Sequence, residues 1–304
     1  MHRLSIKPTR PFYLRSALVL MGLAGLLQAC SETRNPAGPV TKPEPVIKQS
    51  VISVAAPSGA VAISLTDRGA GRPYLFLHGG AGPGSMAGLA AAMAGSARVV
   101  LPTHPGFQGQ PRPEAFKTIP ELASAYLALL DSMNLNGVIL VGNSMGGWVA
   151  SEMATRHSPR VAGLILLNAL GVESGPHGKV ADLSKSTPAE ITAMAFYDPA
   201  KYAVAPATPE ALAMVIENQK TLRVYGGAFF TYDPTLRARL AEVAIPTLVA
   251  WGSSDKIADV AYGLEYAESI PGSEFVRLPY AGHFPQIERT ATVAGLIPSF
   301  LAGL

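Results

Sequence analysis

Cysteine is nearly absent from this chain: one, Cys30, stands among 304 residues. A lone cysteine excludes an internal disulfide, and its place in the leader argues against cysteine catalysis. Charge is sparse as well. Only 15% of residues are Asp, Glu, Lys or Arg, against 48% hydrophobic, a balance that buries one large core but hardly two. No internal repeat is visible, and the 30 glycines and 26 prolines are spread along the chain rather than concentrated in a low-complexity tract. The phosphate-cradling G-x-x-x-x-G-K-[ST] pattern, the dinucleotide fingerprint and any metal-ligand cluster are also missing, so no cofactor is expected.

The N-terminus reads as a targeting segment. Arg3, Lys7, Arg10 and Arg15 precede the apolar run Ala17 to Leu27, whose length suits a signal h-region better than a membrane span. The run ends in Leu27-Gln28-Ala29-Cys30, which resembles a bacterial lipobox. That resemblance implies cleavage before Cys30, lipidation of Cys30 and a membrane anchor, so residues 1–29 are the expected signal peptide. Ser31 in place of an aspartate leans towards outer-membrane sorting, with the domain facing the periplasm of the cell envelope. The proline-rich stretch that follows, through Pro36, Pro39, Pro43 and Pro45, reads as an extended tether over 30–49.

The leader also distorts the charge. The chain carries 24 basic and 21 acidic residues; without the four leader cations, 20 face 21 and the net charge is about −1. Nucleic-acid binding is therefore not expected.

From residue 50 the pattern changes. Val51 to Ala56 and Val61 to Leu65, around Pro57-Ser58-Gly59, predict a hairpin. Short apolar runs follow at 74–77, 97–101, 138–141, 164–167, 247–250 and 275–278, with helical stretches at 119–133 and 148–157 between some of them. This alternation predicts an α/β fold with a mostly parallel sheet covered on both faces. Functional groups then collect at the carboxyl ends of the strands.

Four strand ends carry chemistry. Gly142-Asn143-Ser144-Met145-Gly146 follows the run 138–141 and fits G-x-S-x-G, in which flanking glycines let the chain turn sharply and project a serine hydroxyl. A serine needs a base, and the base an orienting acid. Trp251-Gly252-Ser253-Ser254-Asp255 and Ala281-Gly282-His283 follow the last two runs in the required order. Asp259 is the rival acid, set second because Asp255 comes first after the strand. His78-Gly79-Gly80-Ala81-Gly82-Pro83-Gly84 follows the run 74–77 and offers a backbone N–H to an oxyanion. Gly80 is the expected donor, with Ala81 as the alternative and Met145 as the second donor. His2, His157 and His177 lack such a context, and His78 and His104 are read as structural.

Together these motifs, in this order over about 50–304, resemble the α/β-hydrolase superfamily. The His78–Gly84 and Val141–Gly147 segments are most similar to carbon–carbon hydrolases of aromatic ring-cleavage pathways and their esterase relatives. Two places depart from that pattern: Gly88-Leu89-Ala90 after the glycine loop, and Phe284 after His283. The resemblance implies a core at 50–171 and 241–304 with a helical cap over 172–240. It also implies acyl-enzyme chemistry by Ser144, Asp255 and His283 on a small-molecule acyl substrate. Expected first is a carboxylic ester, then a carbon–carbon or amide bond, and as a separate class a noncatalytic lipoprotein binding module. The cap aromatics Phe196, Tyr197, Tyr202, Tyr225, Phe229, Phe230 and Tyr232 are expected mainly in packing, and Arg223 as an exposed helix arginine.

Overall fold

The computed structural model describes residues 46–183 and 186–303. Cys30, the signal segment and the tether up to residue 45 lie outside them. The chain runs β1 (Ile47–Ala56), β2 (Gly59–Arg68), β3 (Pro73–Leu77), α1 (Gly84–Met93), β4 (Arg98–Pro102), α2 (Ile119–Ser132), β5 (Val138–Asn143), α3 (Met145–Ala154) and β6 (Val161–Leu167). Among the described residues four helices then intervene: α4 (Pro188–Ala195), α5 (Pro199–Tyr202), α6 (Pro209–Gly226) and α7 (Leu236–Leu240). The fold closes with β7 (Thr247–Gly252), α8 (Val260–Glu268), β8 (Glu274–Leu278), α9 (Pro285–Glu288) and α10 (Thr290–Ala302).

The sheet has the order β1-β2-β4-β3-β5-β6-β7-β8. Strand β2 runs antiparallel to both its neighbours, β1 and β4, and all other pairings are parallel. Residues 47–49, expected in the tether from composition, belong to β1 because they pair with 66–68. At the centre, all six residues of β5 are buried. Leu140 pairs with Leu75 on one side and Leu164 on the other. With helices on both faces, such a strand carries a continuous apolar run instead of an alternating one.

Each face has its own core. Leu75, Leu140, Leu164 and Val249 pack with α2, α3 and α8 on one side, while Phe76, Val141, Ile165 and Leu248 pack with α1 and α10 on the other. Helix α2 shows why these segments are helical. Ile119, Leu122, Ala123, Tyr126, Leu129 and Leu130 form a buried stripe at helical spacing, and Thr118 and Glu121 make a reciprocal capping box.

Strand order reverses around β3, which has β4 on one side and β5 on the other. Such a switch opens a crevice beyond the strands' carboxyl ends. The glycine loop after β3 and Ser144 after β5 both lie at this crevice.

Candidate active site

Ser144 occupies the turn between β5 and α3 with φ 55° and ψ −123°. This is left-handed backbone that a non-glycine residue rarely adopts, and it holds the side chain out of the turn under strain. The turn is this tight because the chain packs against itself. A Cβ on Gly146 would lie 2.0 Å from the Leu77 carbonyl oxygen, so the flanking glycine is required by space. Met145 opens α3, and its N–H has no acceptor in a preceding helical turn. The positive end of the helix dipole points the same way.

The glycine loop passes directly over the serine. A Cβ on Gly79 would stand 2.8 Å from Ser144 Cβ and 3.3 Å from its Oγ. Two buried imidazoles brace the loop from below. His78 Nε2 accepts the His104 main-chain N–H at 3.0 Å, which assigns the ring proton to Nδ1 and its donation to the Gly79 carbonyl at 2.8 Å. His104 Nε2–H donates to the His78 carbonyl at 2.8 Å, while its Nδ1 pairs with the Tyr126 hydroxyl. The rings stack with centroids 3.8 Å apart. Burial holds both neutral: it pushes His78 well below the ordinary imidazole range, helped by its neighbour His104, and brings His104 down to about 4.

Asp255 and His283 meet in the interior. His283 Nδ1 and Asp255 Oδ2 are 2.7 Å apart, with both side chains almost fully buried. The same carboxylate accepts from Asn168 Nδ2 at 2.7 Å, Ile257 N at 2.7 Å and Ala258 N at 3.0 Å. With Nδ1 donating to the carboxylate, Nε2 is the imidazole's acceptor nitrogen. The rival Asp259 instead caps α8, accepting Tyr262 N at 2.9 Å. His157 and His177 are exposed.

Two asparagines that motif reading did not single out complete the frame. Asn168, at φ 45° just after β6, bridges Asp255 and the Gly252 N–H, which it accepts at 3.0 Å. Asn143, fully buried beside Ser144, donates to the carbonyls of Leu167 and His283, both at 2.9 Å. Asn168 was detectable in principle, because it follows an apolar run at the carboxyl edge. Asn143 was visible only as the variable position of the elbow.

The segment between β6 and β7 packs on loops that follow β3 and β4. Asn218, Thr221 and Tyr225 of α6 bond Gln108 N, Gly106 O and Pro105 O at 2.9–3.0 Å. Leu222 Cδ2 stands 2.7 Å from where a Cβ on Gly80 would be, and Gln219 Nε2 at 3.7 Å. Phe196 packs on Phe284 at 5.2 Å, and Phe284 on His283 at 5.4 Å. Tyr197 packs on Tyr280 in the loop before His283, while Phe229 packs locally on Tyr232 and Phe230 lies beneath the exposed Arg223. Lys201 lies over the ring of Tyr202. Among the described residues no group of three or more His, Cys, Asp or Glu side chains is arranged to hold a metal ion. No helix of these residues is long and apolar enough to cross a membrane.

The model of the alpha/beta hydrolase family matches residues 74–296, from the first buried strand to the last helix. The chain belongs to the α/β hydrolase family. Within this family it is 26% identical over 266 residues to 2-hydroxy-6-oxo-6-(2'-aminophenyl)hexa-2,4-dienoic acid hydrolase of Metapseudomonas resinovorans, covering 81% of this chain and 89% of that one. Among solved α/β hydrolase structures it is similar to a meta-cleavage product hydrolase from Pseudomonas fluorescens, with TM-score 0.67 and 22% identity over 83% of this chain and 97% of that one. A thermophilic esterase from Thermogutta terrifontis superposes with TM-score 0.60 and 22% identity, covering 84% and 98%. At these identities the structural likeness speaks for the fold.

Proposed function

We propose that this α/β hydrolase is a carboxylic-ester hydrolase in which Ser144 is the nucleophile, His283 the base and Asp255 the orienting acid. The observation that carries the reading is the chain Asn168–Asp255–His283, which fixes the imidazole tautomer and is held through Asn143 to the turn of a strained serine under a glycine loop. His283 Nε2 takes the Ser144 hydroxyl proton as Oγ attacks the acyl carbon. The N–H groups of Gly80 and Met145 bind the oxyanion. The tetrahedral intermediate collapses, the alkoxide leaves with the proton held by His283, and an acyl-serine remains. Water, deprotonated by His283, adds to the acyl carbon; collapse releases the acid and returns the proton to Ser144.

The segment over 172–240 acts in this reading as a cap that shapes the substrate site. Its side chains reaching the glycine loop, Leu222, Gln219 and Asn218, are uncharged, and Arg223 lies on the Phe230 ring. These features support a small or medium, neutral, apolar acyl substrate. The decisive experiment is turnover of short-chain p-nitrophenyl esters together with fluorophosphonate labelling. Ser144→Ala is expected to lose both, with kcat falling by about three or more orders of magnitude. Full activity in that variant, or no labelling of the parent, sinks the reading and revives a binding role.

The likeness to the hydrolase of M. resinovorans favours a second reading, cleavage of a carbon–carbon bond by the same residues. Assaying a ring-cleavage product and an aminoacyl amide beside the esters separates the bonds. Anchoring through Cys30 in the cell envelope is part of the proposal. Fatty-acid incorporation that disappears in Cys30→Ser is the expected result, and unchanged membrane recovery of that variant contradicts it.

A further inference from the structure

Glu288 ends α9, five residues beyond His283, and is only 6% exposed. Its carboxylate gathers three backbone amides from two separate parts of the molecule. Oε2 accepts Gly282 N–H at 2.6 Å and Tyr197 N–H at 3.2 Å, and Oε1 accepts Asp198 N–H at 3.0 Å. Gly282 precedes the proposed base, whereas Tyr197 and Asp198 follow α4 in the covering segment. A buried carboxylate with three converging N–H donors is a strong, directional junction.

The two parts it joins touch directly beside it. His283 N–H donates to the Ala195 carbonyl at 2.6 Å, and Lys256 N–H, next to Asp255, donates to the Met194 carbonyl at 3.2 Å. The last carbonyls of α4, which a helix leaves without internal partners, are thus spent on the base loop and the acid loop. Contact is so close that a Cβ on Gly282 would lie 2.3 Å from Ala195 O. On its other side the His283 carbonyl is held by Asn143 at 2.9 Å. The base is therefore clamped between the nucleophile's neighbour and the covering segment, and Glu288 fixes the second jaw.

We infer that Glu288 is a positioning residue for His283: by latching residues 197–198 to Gly282 it couples the seating of the covering segment to the placement of the base. The carboxylate acts through main-chain hydrogen bonds and touches no reacting atom. For its kinetic consequence the inference rests on the ester-hydrolase reading above; for its structural consequence it does not.

Glu265 supplies the control. It too is a buried carboxylate taking three amides of the covering segment, those of Gly175, His177 and Gly178, at 2.7–3.1 Å, but it bonds neither catalytic loop. The full chain and its Glu288→Ala, Glu288→Gln and Glu265→Gln variants are compared by p-nitrophenyl ester kinetics and by amide hydrogen exchange. Glu288→Ala is expected to lower kcat by about 10- to 100-fold with KM within about threefold, as misplacement of a reacting group by an ångström does, and to speed exchange at 282–283 and 197–198. Glu288→Gln, which keeps one acceptor oxygen, restores part of both and stands in if the alanine variant does not fold. Glu265→Gln lowers the unfolding midpoint but leaves kcat within about twofold. Unchanged exchange at 282–283 overturns the inference, as does unchanged kcat in an active enzyme or an equal loss in Glu265→Gln. Should the parent turn over no ester and take no fluorophosphonate, the ester-hydrolase reading has failed and the exchange arm alone decides whether the latch exists.

Discussion

His104 donates two hydrogen bonds to His78: its ring to the His78 carbonyl at 2.8 Å, and its main-chain N–H to the His78 ring at 3.0 Å. The second bond needs the lone pair of His78 Nε2, so it exists only with the His78 ring neutral, and burial holds His104 neutral beside it. Since the pair carries the loop over Ser144, its protonation state governs the geometry of the site as well as stability.

Stability should therefore fall on mild acidification. His104 titrates at about 4 in the fold against 6.5 in an unfolded chain, and His78 is shifted the same way. Between those values the unfolded chain binds the extra proton, so the contribution is complete above about pH 6.5 and is lost progressively as pH falls through 4. His104 alone accounts for about 3 kcal/mol across that window. Urea midpoints measured from pH 7.5 to 4.5 should drop steeply, and His104→Gln should flatten the slope; a midpoint independent of pH over this range contradicts the assignment.

Asn168→Ala removes the side-chain donor that shares Asp255 Oδ2 with His283. A hydrogen bond to a charged partner contributes about 1.5–3 kcal/mol, so kcat/KM should fall by about 10- to 100-fold while the fold persists. Steady-state kinetics with circular dichroism checks both halves of this expectation.

Alanine at Gly79 and at Gly146 should have different consequences. At Gly79 the new methyl meets Ser144, 2.8 Å from Cβ and 3.3 Å from Oγ, and the Asn143 carbonyl oxygen at 3.0 Å. Activity and fluorophosphonate labelling should fall by about 100-fold or more, with a smaller loss of melting temperature than at Gly146. At Gly146 it meets backbone, 2.0 Å from Leu77 O, and overpacking there should cost stability by about 3 kcal/mol or more. Equal melting temperatures for the two variants would contradict the distinction.

Leu140→Ala empties a fully buried position in the central strand. A loss of about 2–5 kcal/mol is expected, read as a lower urea midpoint, with KM unchanged at temperatures where the variant remains folded.

How far the sequence could be read depended on the range of the interaction. The strand runs appeared near their observed places because buried parallel strands are short and uniformly apolar, and the elbow was visible because its glycines sit within two residues of Ser144. By contrast α1 and α10, rich in alanine and glycine or apolar nearly throughout, show little contrast between faces and were not anticipated. The choice between Asp255 and Asp259 rested on order after the strand; in the folded chain one carboxylate faces His283 and the other caps a helix.

What the sequence alone determined is the succession of strands, helices and four chemically equipped strand ends, and with them the α/β hydrolase fold, because hydrophobic patterning and glycine spacing are local properties. Only the tertiary structure decided that Asn143 grips the His283 backbone 140 residues away, that Asn168 steadies Asp255 across 87 residues, and that Glu288 ties Gly282 to a segment 90 residues earlier. Those bonds depend on where distant loops converge at the carboxyl edge of the sheet, and no local pattern encodes such a meeting point.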